Sequence, residues 1–123
     1  MSTTYAGKYV ALLFLARDLA HRVHLKTRSF SDHMATNEFY NNIIPLADDF
    51  AQKYEGCYNE LIDIPLMAND YKGSLADVLE KHTKWIEDNR EKICPRSNTA
   101  LHNIIDEAVG IYDQALYHLR FLK

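Results

Sequence analysis

Much of what this 123-residue chain says about its chemistry comes from what it lacks. Its two cysteines, Cys57 and Cys94, are too few for a disulfide framework and do not form a Cys-x-x-Cys zinc spacing, so both read as reduced thiols near helix ends. No base adjoins either one in sequence, which removes the simplest nucleophilic arrangement. Four scattered glycines cannot build a phosphate-cradling loop. No apolar run approaches the ~18 residues needed to cross a bilayer, and no secretory leader is evident, so the expected compartment is the cytoplasm. A net charge of -3, without a lysine-rich tail, gives no general attraction to a polyanion, and nucleic acid is not an expected partner. The Glu-x-x-His pairs of bundle-centre di-iron sites are missing too. Glu80 and His82 come nearest, but at two residues apart they point about 200° away from each other on a helix.

What is present is helical periodicity in one domain, with an ordinary 47% hydrophobic and 25% charged composition. A first helix is expected over about 5–26, with Tyr9, Leu12, Ala16, Leu19, Ala20 and Val23 on its core face. Val10, Phe14 and Leu25 lie on roughly the opposite side, an apolar second face that suggests a partner. A second helix over about 31–55 buries Phe39, Ile43, Leu46, Ala47, Phe50 and Tyr54, and its pattern continues on both sides of Pro45, which predicts a kink and not a break. Residues 56–73 lose the pattern around Pro65, Asn69-Asp70 and Lys72-Gly73 and form a crossover. Ser74 with Asp77 opens a third helix over about 74–93. Asn98 or Thr99 caps a fourth over about 98–122. Two short turns and one long middle connection predict an all-α, ferritin-like four-helix bundle with a long crossover between the second and third helices.

The chemistry gathers on the second helix. His33, Asn37, Tyr40, Ile44, Asp48 and Glu55 fall along one edge of its apolar face, and His24 lies just before the turn that leads into it. His33 and Asp48 are fifteen residues apart, about 22 Å on a helix, so no single chain brings both to one ion. An isologous two-fold contact through the first two helices would set the His33 end of one copy beside the Asp48 end of another and create two equivalent sites.

The run from His24 through Thr27, Ser29, Phe30, Ser31 and His33, followed by Ala35, Phe39-Tyr40, Asp48 and Tyr54-Glu55-Gly56, resembles the first helical hairpin of ferritin-like proteins of the Dps type, and most of all small phage-encoded members. The resemblance covers the first half of the chain, and the second half only in helix layout. It implies an intersubunit site in which His24 and His33 of one copy meet Asp48 of another and bind iron or another divalent transition metal, with ferroxidase activity at most. Two departures stand out: the turn between the histidines is three residues shorter than in Dps proteins, and Gln52 occupies the position four after Asp48 where those proteins carry Glu. Glu55 is the nearest substitute. A phage origin would place the protein in the host cytoplasm.

Other polar residues have plainer readings. His82 projects from the apolar face of the third helix and needs a buried partner such as Tyr112 or Tyr40. His102, Asp106 and Asp113 share a stripe expected to be solvated. Arg17, Arg22 and Arg28 belong to a basic side of the first helix and its turn, and in an oligomer could converge on a small anion or nucleotide. That defines a second class of function, an oligomeric phage protein without catalysis that sequesters such a ligand or a host protein.

Overall fold

Ser29, Ser74 and Asn98 each turn a side-chain oxygen onto the backbone N–H three residues ahead, Asp32, Asp77 and Leu101 respectively, and so satisfy donors that a helix start otherwise leaves unpaired. These caps begin three of the helices in the computed structural model, which describes residues 3–68 and 72–123. The element order is α1 (Thr4–Lys26), α2 (Phe30–Tyr58), α3 (Leu75–Asp88), α4 (Arg90–Ile93) and α5 (Thr99–Phe121). Among the described residues there is no strand. The Asn69-Asp70 breaker lies outside them.

Neighbouring helices run antiparallel around a closed ring. The 27–29 turn folds α2 back along α1. Glu38–His118 at one end and Tyr58–Asn98 at the other pair α2 with α5. Glu80–Arg120 and Arg90–Asp106 do the same for the α3–α4 run and α5. Tyr5 stacked on Trp85 closes the ring between α1 and α3. Tyr9, Phe50, Tyr54, Leu79, Ile105 and Tyr112 fill the centre, and Ala6, Ala16 and Ala20 let α1 approach closely. Burying each large apolar side chain contributes about 1.5–3 kcal/mol. The helix α2 passes through Pro45 without interruption, as the continuing periodicity predicts.

Two details differ from the sequence reading. The third helix breaks at Asn89, whose side-chain amide and backbone N–H both turn back onto the Trp85 carbonyl; an asparagine that satisfies the preceding turn this way terminates it. Val10, expected on an outward face, is fully buried. The reason lies one turn earlier on the same stripe, where the chain beyond α2 lies so close over Gly7 that a Cβ there would collide with the Asp63 carbonyl. That strap is anchored by Glu55, whose carboxylate accepts the Ile62 N–H at 2.9 Å, and it leaves α1 only Phe14 and Leu25 as exposed large apolar residues. Asn59, at φ 53° in the left-handed region that asparagine tolerates, ends α2 and releases the chain into the strap.

Candidate functional site

A three-residue turn leaves little room between the end of α1 and the start of α2, and two imidazoles occupy it. The His24 and His33 rings stack with centroids 3.7 Å apart and planes 22° from parallel. Their hydrogen bonds are reciprocal: His24 Nδ1 lies 2.8 Å from the His33 carbonyl, and His33 Nδ1 lies 3.1 Å from the His24 carbonyl. A carbonyl can only accept, so both Nδ1 atoms carry hydrogen and donate. In the neutral ring the lone pair is then on Nε2, the orientation that a backbone carbonyl imposes on metal-binding histidines. The pair therefore clasps the hairpin and leaves two nitrogens with free lone pairs, one on the exposed His33 and one on the half-buried His24.

The clasp belongs to a wider cluster. His21 stacks on Tyr40 at 4.3 Å and lies 6.2 Å from His24. Arg17 places its guanidinium over the Tyr40 ring, 5.8 Å from its centroid, a cation–π contact. The Tyr40 hydroxyl donates to Asn37 Oδ1 at 3.0 Å. His21 and Arg17 lie three and seven residues before His24, one helical stripe, and that spacing was the signal by which the sequence could have placed His21 here.

Of the four residues expected to hold metal, one chain joins two. His24 and His33 touch. Asp48 is exposed, and no described residue pairs with it, since the neighbouring Asp49 takes Lys53. Glu55 is further along α2, with one carboxylate oxygen engaged by the strap. Among the described residues no three His, Cys, Asp or Glu side chains form a metal-holding group. Within one chain the three arginines stand apart: Arg17 lies on Tyr40, Arg22 pairs with Asp18 at 2.8 Å, and Arg28 is exposed in the turn.

A second polar cluster, at the other end of the bundle, was missed. His102 is buried, not solvated as its stripe suggested. Its Nε2 must donate to the Cys94 carbonyl at 3.2 Å, which leaves Nδ1 to receive long contacts from Arg90 and Arg96, both at 3.5 Å. Arg90 is nearly enclosed and reaches Glu87, Asp106 and the His102 carbonyl. Cys94 Sγ sits 3.4 Å from His102 Nε2, the distance of a catalytic dyad, but that nitrogen already carries a proton and cannot take one from the thiol. Burial also pushes the Cys94 thiol up to about 11, so it stays protonated. His82, as expected, shares a buried hydrogen bond with the Tyr112 hydroxyl at 3.1 Å, and burial lowers its pKa to about 4.

Fold and site together define an all-helical protein that offers an imidazole and tyrosine surface at one helical turn and has no activated nucleophile there. The chain belongs to the family of unknown function DUF5856, whose model matches residues 24–119 and so starts at the first histidine of the clasp. It is 25% identical over 120 residues to the "uncharacterized 14.6 kDa protein in mobD-ri intergenic region" of Enterobacteria phage T4, an alignment covering 93% of this chain and 87% of the relative. No solved structure matches. No helix among the described residues is long and apolar enough to cross a membrane.

Proposed function

We propose that this protein is a ferritin-like, Dps-like oligomer that binds a divalent transition metal, iron first, between copies, with weak or absent ferroxidase activity. His24 and His33 of one copy supply nitrogen ligands, and Asp48 of a second copy supplies the carboxylate. The observation that carries this reading is the reciprocal Nδ1-to-carbonyl bonding of the two histidines, which orients both rings and leaves both Nε2 atoms for a ligand. The antiparallel helix ring with its long crossover supports the ferritin-like part. Because the rings stack, both nitrogens reach one ion only after one ring turns and gives up its carbonyl bond, worth about 1 kcal/mol. Coordination by both imidazoles and a partner carboxylate offsets that loss. Glu55 is a reserve ligand at best, since it anchors the strap, and the neutral Gln52 supplies no charge to hold a ferric product.

The test is native mass spectrometry with added Fe(II) and Zn(II). The reading expects about one metal per chain in a dimer or larger assembly, lost in His33→Ala and weakened in Asp48→Ala without loss of fold. A chain that takes up neither metal sinks it.

A second reading draws on Arg17 over Tyr40 and Tyr40 on His21, a flat cationic platform suited to a small anionic or nucleotide ligand. On that reading the protein sequesters its ligand without catalysis, and Arg17→Ala abolishes binding while Asp48→Ala leaves it unchanged.

A further inference from the structure

Phe30 and Met34 at the start of α2 and Tyr117, Phe121 and Leu122 at the end of α5 are large apolar side chains left 77%, 49%, 51%, 72% and 43% exposed. They form one patch. Phe30, Met34 and Leu122 line a shallow cavity of about 330 Å³ between the two helices, with Ala35 at its floor. Tyr117 and Phe121 continue it along α5, their ring centroids 6.0 Å apart. On the α1 face that the sequence offers to a partner, Val10 is buried while Phe14 and Leu25 are exposed, and the patch between α2 and α5 is a second unpartnered apolar surface.

Size and charge indicate what covers it. At roughly 200 Å² for a large side chain, these five expose on the order of 600 Å² of mostly apolar surface. That is the upper end of what a monomer displays in one patch, about 300–600 Å², and most of the ~800 Å² that each partner contributes to a stable dimer. The rim is balanced in sign. Lys123 lies 3.8 Å from Asp32 at the edge and His118 lies 3.8 Å from Glu38 in the cavity wall, so each acid has a basic group beside it. A rim of one sign would select an oppositely charged partner; alternating signs repeat across a two-fold axis and pair with themselves.

We infer that this face is an isologous interface between two copies of the chain, with Phe30 and Phe121 as its aromatic anchors. It opens toward α5, whereas the His33 ring stacks on His24 of α1; Asn37, which lines the cavity and accepts from the Tyr40 hydroxyl, is where the two surfaces adjoin, and the apolar contact itself needs no metal. Two different two-fold contacts on one chain generate a closed tetramer or a larger shell.

Sedimentation equilibrium over a concentration series, in buffer with a metal chelator, tests the inference on the wild type, on Phe30→Asp with Phe121→Ser, and on His33→Ala. Circular dichroism and a melting curve on each variant confirm the fold, which these exposed positions do not disturb. The wild type and His33→Ala should have a mass at least twice that of the chain, and the double variant should fall to half the wild-type mass. A wild type that is monomeric at every concentration overturns the inference, and so does a folded double variant of unchanged mass. His33→Ala alone falling to monomer also overturns it, because the histidine contact would then account for all association.

Discussion

The two ends of this bundle use the same residue types to opposite effect. At the end holding α4 and the start of α5, His102, Cys94 and Arg90 are buried, and their hydrogen-bonding groups are turned on one another, on backbone carbonyls or on the carboxylates of Glu87 and Asp106. At the turn between α1 and α2, His24 and His33 commit one nitrogen each to the backbone and leave the other at the surface. Burial separates the two. A buried polar group must find its partner within the fold, and a group so satisfied has nothing left for a ligand. A half-satisfied exposed group is positioned without being used up. A histidine beside a cysteine at 3.4 Å is here a structural contact, while the stacked pair at the turn, with one nitrogen of each ring on the backbone, is the better functional candidate.

That contrast breaks most sharply with pH. His82 is buried with a pKa near 4, against 6.5 in the unfolded chain, so between these values the unfolded state binds more protons. Stability from this group is complete above about pH 6.5 and is lost as pH falls toward 4, a change of about 3 kcal/mol. Urea titrations at pH 7 and pH 4.5 should show the loss, and His82→Gln should flatten that part of the slope. An unchanged slope in the variant would place the titration elsewhere.

Removing Arg90 should cost about 2 kcal/mol as Arg90→Ala, below the usual figure for a broken buried pair because Glu87 and Asp106 are half exposed and rehydrate. Chemical denaturation measures it, and a loss under 0.5 kcal/mol, the ordinary scale of surface changes, would show that end to be loosely held. Gly7→Ala pushes a methyl group against the Asp63 carbonyl and should destabilise by about 2 kcal/mol through displacement of the strap. Faster amide exchange at Ile62, whose N–H is held by Glu55, reports that displacement directly. The smallest effect is expected at the clasp. His24→Ala gives up a half-buried ring and its hydrogen bond to the His33 carbonyl, so it should cost about 1 kcal/mol and leave the melting cooperative. A loss as large as that at Arg90 would make the clasp a structural element like the far end.

Helix positions and core faces were legible because periodicity depends on local spacing: Phe39, Ile43, Phe50 and Tyr54 fall inside as their spacing requires. The cap at Ser74 was legible for the same reason, and the choice between Asn98 and Thr99 falls to Asn98. His24 and His33 stood out as residues flanking a turn, and their contact follows from its shortness. What could not be read was set by contacts distant in sequence. Glu55 looked like a spare ligand because nothing nearby in sequence shows that a strap seven residues on would claim it. His102 looked solvated because its partners, Cys94 and Arg90, come from the preceding helix and turn. Val10 looked outward-facing because the chain covering that stripe belongs to the crossover.

The most direct test of the central claim is a calorimetric titration of Zn(II) into the wild-type protein and the His24→Ala, His33→Ala double variant at pH 7.5. The account predicts saturable binding near one ion per chain in the wild type, released protons notwithstanding, and none in a variant that remains folded. Equal binding by both proteins, or none by either, would contradict it and leave the clasp as a purely structural feature of the turn.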